Sequence, residues 1–298
     1  MGFYLVFKKT LKDMLGIKRN LAFIFLGLLI PFLSLSSMWY SWTSYDYSQT
    51  PSEITQVAAD SYVVLWYMWG AGILLAITVS ASAAGFISKE ITDGTLMLVA
   101  AKPINRWQII AGKLVALLLN VMLLLIINHL LTVLLLRVAV GMYANTTNVL
   151  LKLTPYLLLY AFICSIFFAA VTVVFSTLMK SRVKIMMIAI FLVIAVFFSP
   201  MFMPIFGDPS FKTREIMSYF NLGRHTRLTY ESIYGLAPFW EMSAGQQLVL
   251  DILSGTPTTD FLDGRTTPIH PVGSLTILLA ASASAMALSV WALNRKEL

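Results

Sequence analysis

The residues best suited to chemistry lie in one stretch, Ser88 to Lys113, SKEITDGTLMLVAAKPINRWQIIAGK, a charged and turn-rich island between two long apolar segments. Glu90 and Asp93 come first. Gly94 and Thr95 then supply a bend and a helix N-cap. A short apolar helix, 96–101, follows with Leu96 and Leu98 on it, and Pro103 stops it. Asn105 with Gln108 has the pattern of a capping box that opens the next apolar helix, with Arg106 at its start. Nothing in this order of residues cuts or forms a covalent bond, and its chemistry is that of a contact site: carboxylates, a bend and an apolar stub lying along a membrane surface. The glycine and lysine at 112 and 113 do not make a phosphate cradle, since Trp107 stands where the first glycine is needed and Leu114 replaces Ser or Thr. His129, His225 and His270 are scattered, with no metal-ligand spacing and no nucleophile–base signature. Catalytic, cofactor and metal sites are therefore not expected, and neither is ATP hydrolysis by this chain alone.

The island resembles the first cytoplasmic loop of the type-2 ATP-binding cassette permeases, the membrane subunits of one class of ABC transporters. Glu90, the Gly94-Thr95 pair with Leu96 and Leu98, Pro103 and Arg106, then Gly112-Lys113 carry the resemblance, which covers about 26 residues closely and the rest of the chain in topology. It implies that residues 88–106 form a coupling helix docked in a cleft of a separate cytoplasmic ATPase, with two ATPase copies per complex. ATP would be bound by that partner. It also implies a second permease protomer, identical or not, and export as the usual direction.

The elements that must position this loop follow from composition. The chain has 298 residues, 58% hydrophobic and only 12% charged, with a mean hydropathy of +0.81, far from soluble usage. An all-α integral membrane protein is expected. Six segments are long and apolar enough to span a bilayer core, which takes about 20 residues of helix: 21–42, 62–87, 107–136, 153–179, 185–206 and 272–293. Residues 1–20 are amphipathic and basic, with Phe3, Phe7, Leu11 and Met14 on one face, so they read as an interfacial helix and not as a cleaved signal peptide. Members of the resembling family commonly begin with such an elbow helix.

Loop charge sets orientation. The N-terminus, the island, the link around Arg182 and the C-terminus carry fourteen Lys and Arg against four Asp and Glu, while the opposite side carries seven against ten. By the positive-inside rule the first set, with both termini, is cytoplasmic. The same rule accounts for the net charge of +7, so nucleic acid is not an expected partner. Trp39, Tyr40, Trp42, Tyr45 and Tyr47 suit an outer aromatic belt.

Within the spans, Gly70, Gly72, Ala76, Ser80, Ala83, Ala84 and Gly85 make the second segment suited to close helix packing. Its partner is either another helix of this subunit or, as the resemblance implies, the fifth span of a second protomer. Asn128 and His129 interrupt the third span. They are candidates for a transport pathway, or else polar groups satisfied by neighbouring helices. Pro200 and Pro204 end or bend the fifth span. Residues 207–271 form the large polar section, external by the charge argument. Short helices are expected at 214–220, 226–234 and 246–253, as a small cap before the last span. Residues 233–253 could dip toward the membrane, although Glu241 and Asp251 argue against deep insertion. Cys164 is read as a buried small hydrophobe.

The expectation is a single-domain, multi-pass permease subunit of an ABC exporter in the cell membrane. The competing reading, an ATPase-independent secondary transporter, calls for inverted repeats or ionisable groups at mid-membrane, and neither is clear in this sequence.

Overall fold

The computed structural model describes residues 2–44, 50–93, 105–197, 220–241, 243–254 and 270–295. All regular structure among them is helical. Five helices are long and apolar enough to cross a membrane: Ile17–Thr43, Pro51–Thr92, Arg106–Ala139, Ala144–Leu178 and Pro271–Arg295. The segment expected at 185–206 is described to Phe197, as the helix Arg182–Phe197. Its remainder, with Pro200 and Pro204, lies outside the described residues, as do Tyr45 and Tyr47.

The amphipathic start of the chain forms α1 (Gly2–Met14), with the rings of Phe3 and Phe7 stacked 6.3 Å apart. A short break at residues 15–16 separates it from α2 (Ile17–Ser44). The second span is composite. α3 (Pro51–Leu65) begins on a complete capping box, in which Thr50 Oγ1 accepts from the Glu53 amide and the Glu53 carboxylate accepts from the Thr50 amide at 2.6 Å. Hydropathy placed this start eleven residues later, because Glu53, Gln56 and Asp60 dilute the apolar run. Those polar groups are occupied: Gln56 Nε2 donates to Asp60 at 3.2 Å and to the Glu241 carbonyl at 3.0 Å. A π-helical segment, Trp66–Leu74, follows, then α4 (Leu75–Ala83), a turn over 84–87, and α5 (Ser88–Thr92).

α6 (Arg106–Ala139) and α7 (Ala144–Leu178) have 34 and 35 residues, roughly 50 Å each at about 1.5 Å per residue. Both exceed a bilayer core of ~30 Å. α7 packs against α3, the π segment and α4 and forms the centre of the bundle, with Leu150, Leu157, Tyr160, Ala161, Phe168 and Val173 all removed from solvent. Cys164 lies among them, buried and without a disulfide. α8 (Arg182–Phe197) packs on α4. α2 and α11 (Pro271–Arg295) are peripheral and leave apolar residues such as Phe25, Leu33, Val272 and Trp291 exposed.

The polar section before the last span departs from expectation. Its first described helix, α9 (Leu222–Tyr234), starts four residues earlier than expected and is no surface cap, since nine of its thirteen residues are buried. It packs against α7, α8 and α11. Tyr230 donates to the Val63 carbonyl at 3.0 Å, and His225 Nδ1 pairs with Ser274 Oγ at 3.0 Å. The Tyr230 ring meets Tyr160 edge-on at 4.7 Å and lies 5.2 Å from Tyr67. The physical reason is the character of its rings and the partners of some of its polar groups: Tyr230 and Tyr234 stack at 5.3 Å within the aromatic cluster, Tyr230 bonds the Val63 carbonyl, and Thr226 Oγ1 bonds the Gly223 carbonyl of its own helix at 2.8 Å, so this much of its polarity does not call for water. α10 (Ala244–Ser254) follows, with Ala244 and Gly245 exposed. The helix expected at 214–220 falls almost wholly outside the described residues.

Candidate functional site

The site expected at 88–106 is described at both its ends. On one side α5 carries Glu90, with Asp93 exposed just beyond it. On the other, Asn105 precedes α6 in extended backbone, at the position expected for an N-cap. Its side chain makes no capping bond, so the capping box inferred with Gln108 is not formed; the Gln108 amide bonds the Asn105 carbonyl instead, at 2.9 Å. Gly94, Thr95, Leu96, Leu98 and Pro103 lie outside the described residues.

The two ends are joined by charge. Lys113 Nζ stands 2.7 Å from Glu90 Oε2, with side-chain exposures of 8% and 16%. Lys113 also donates to the Phe86 carbonyl. The charged island is thus not simply bathed in water, because its first carboxylate is folded back onto the base of the third span. A pair this far from solvent holds its geometry because each ion needs the other to offset lost hydration. Lys9 and Asp13 of α1 lie near enough to act on the same ammonium group.

α1 is held against this pair by Gly112. A Cβ there would come within 3.1 Å of the Phe3 carbonyl and 3.3 Å of the Phe7 amide, so the glycine allows α1 to lie directly on α6. Arg106 closes the same end of the bundle by donating to the Leu293 carbonyl in the last turn of α11, where a cation also suits the helix dipole. Thr92 Oγ1 bonds the Ser88 carbonyl of its own helix at 2.9 Å and lies 3.4 Å from the Lys180 carbonyl of the link. Glu90 and Arg106, expected as site residues, therefore sit where four helices and a link meet.

Asn128 and His129 are elsewhere. They lie fifteen and sixteen residues along α6 from Lys113, about 23 Å away. Both are buried, and both have partners. Asn128 Nδ2 donates to the Ile24 carbonyl of α2 at 3.2 Å, in a space that exists because Gly27 has no side chain. His129 pairs with Tyr62 Oη at 2.5 Å and Thr154 Oγ1 at 2.8 Å, fastening α6 to α3 and α7.

Two features escaped the sequence reading. One is Lys113 as the partner of Glu90, although both ends of the motif were in view. The other is Ser176 of α7, whose hydroxyl donates to the Ala84 carbonyl at 3.0 Å and accepts from the Ile87 and Ser88 amides at 3.1 and 3.2 Å. A lone serine in an apolar helix carries no sequence signal for such a contact.

The family model described as ABC-2 family transporter protein matches residues 6–298 of the chain. The protein belongs to the ABC-2 family. No curated protein matches it. As an ABC-2 protein with several long apolar helices, it is a multi-pass membrane permease subunit of an ABC transporter, a transport component and not a catalytic enzyme. The resemblance drawn from residues 88–113 thus extends to the family match over nearly the whole ABC-2 chain.

Proposed function

We propose that this chain forms part of the membrane pathway of an ABC exporter and takes its driving motion from a separate cytoplasmic ATPase through residues 88–106. Two ATPase copies and a second permease protomer complete the complex, with both termini of this chain on the cytoplasmic side. In this reading Gly94 permits the bend, Thr95 caps the short helix, Leu96 and Leu98 anchor it in the ATPase cleft, Pro103 ends it, and Asp93 offers an exposed polar contact. Glu90 belongs to the coupling site as its tether. Arg106 fastens the far end to the last span.

The observation that carries this reading is the Glu90–Lys113 pair, which joins the two described elements on either side of residues 94–104. A loop tied at its base moves its two flanking spans together, whereas an untethered polar loop would absorb a push by bending. Asn128 and His129, proposed from sequence for a pathway, are better supported as braces between spans by their bonds to Ile24, Tyr62 and Thr154.

The test is Glu90→Arg in the reconstituted complex, which sets a second cation against Lys113. The expected outcome is loss of transport-linked ATPase stimulation with the permease still inserted. Unchanged stimulation would remove Glu90 from the coupling site. Full transport by the purified chain with no ATPase would favour the secondary-transporter reading instead.

A further inference from the structure

The second span is interrupted just before Glu90. α4 ends at Ala83, α5 starts at Ser88, and residues 84–87 form a turn between them. A break inside a membrane helix frees backbone groups that lipid cannot satisfy. Here neighbouring helices satisfy them with side chains. Ser176 of α7, fully buried, spends its one donor on the Ala84 carbonyl and its two acceptor positions on the Ile87 and Ser88 amides. It therefore bonds the backbone on both sides of the break. Lys113 of α6 takes the Phe86 carbonyl, and Arg182 of α8 reaches the Ala81 carbonyl at 3.4 Å.

The competing arrangement is an unbroken helix, in which the Ser88 amide would bond the Ala84 carbonyl and the Ile87 amide the Ala83 carbonyl. Ser176 occupies the Ile87 and Ser88 amides and shares the Ala84 carbonyl with Ser88 Oγ, which donates to it at 2.6 Å, while the Phe86 amide holds the Ala83 carbonyl at 3.0 Å; Ser176 and the Phe86 bond together work against that closure. The turn also sets the direction in which α5 leaves the span, and with it the aim of Glu90 at Lys113. The structure holds the broken arrangement, and an element that can exchange a broken for a continuous arrangement acts as a joint.

We propose that the 84–87 break is the joint through which movement of the loop enters the bundle, and that Ser176 is its positioning residue. The inference rests on the reading that an ATPase acts through residues 88–106. Removing the hydroxyl closes the break into continuous helix, turns α5, and uncouples the loop from spans three and four.

The experiment uses the full chain in lipid nanodiscs, with spin labels on Thr92→Cys and Val138→Cys in a Cys164→Ala background, alone and with its ATPase subunit. In the chain alone, Ser176→Ala shifts the distance distribution and Ser176→Thr, which keeps the hydroxyl, restores it; superimposable distributions would overturn the joint. With the ATPase bound, trapping by ADP and vanadate moves the distance in the unsubstituted chain, and Ser176→Ala loses that movement while still binding the ATPase. A movement of equal size in Ser176→Ala would overturn the role of Ser176 in transmission. If Ser176→Ala does not fold, Ser176→Val, isosteric with the threonine variant but without its hydroxyl, is held to the same two comparisons. Failure of the unsubstituted chain to bind any ATPase would instead defeat the reading beneath, and the first comparison alone would then decide the joint.

Discussion

The proposed coupling site contains one ion pair, Glu90 with Lys113, whose members are 23 positions apart in sequence. Lys113 keeps 8% of its side-chain exposure and Glu90 16%, so removing either leaves a charge with little water to receive it. Glu90→Gln and Lys113→Met are each expected to destabilise the chain by about 3 kcal/mol, the low end for a buried pair because Glu90 is only partly enclosed. The double substitution should cost less than the sum of the two, and a thermal-unfolding double-mutant cycle in detergent measures the difference. Strict additivity would mean that the two side chains do not interact. The sequence makes both residues visible as ends of a motif, since each interrupts an apolar context. Their pairing was not legible, because it depends on how α5 leaves the second span. Asn128 and His129 were visible for the same reason, but only the neighbouring helices reveal what they do: Ile24, Tyr62 and Thr154 supply the partners.

Among the elements, those set by length and hydropathy were read most directly. Helices around 21–42, 107–136, 153–179 and 272–293 follow from runs of about 20 apolar residues; three are present with ends one to four residues longer, while the helix expected at 153–179 starts nine residues earlier, at Ala144, and ends at Leu178. Interruptions were not legible. The π segment Trp66–Leu74 includes Gly72 at φ −90°, ψ −105°, and there the Tyr67 carbonyl comes so close that a Cβ on residue 72 would overlap it, with the Phe197 ring on the other side at 3.1 Å. Sequence marks Gly72 as a small residue but not as the centre of a kink. Since the obstructing atom is backbone, it cannot move aside cheaply. Gly72→Ala should therefore lower stability by about 1–3 kcal/mol, as overpacking does, read as a lower unfolding temperature of the purified chain. An equal or higher temperature would show that the kink is not held by that contact. α9 was misjudged for the opposite reason. Its arginines, histidine and threonines look aqueous in sequence, yet Thr226, Thr229 and Tyr230 are buried, and Tyr230 bonds the Val63 carbonyl.

For the whole molecule, a central α7 surrounded by the other helices leaves α2 and α11 at the rim with apolar residues exposed. Such faces are at home in lipid or against another membrane helix. At one end of the bundle α1, α5, α6, α11 and the link at Lys180 converge around Glu90, Arg106 and Lys113. That convergence is why we propose this end as the input for a mechanical signal, and the excess of lysine and arginine there is the reason to expect it on the cytoplasmic side. Family membership makes the chain an ABC permease subunit. The specific claim is that its ATPase acts here. A photo-cross-linking side chain in place of Asp93, exposed beside the loop, tests that claim most directly in the complex purified with its ATPase subunit. The account predicts a covalent adduct between the two subunits whose yield changes when nucleotide is trapped. An active complex that gives no adduct from this position, with the same position labelled by a membrane-impermeant reagent from outside intact cells, would contradict it.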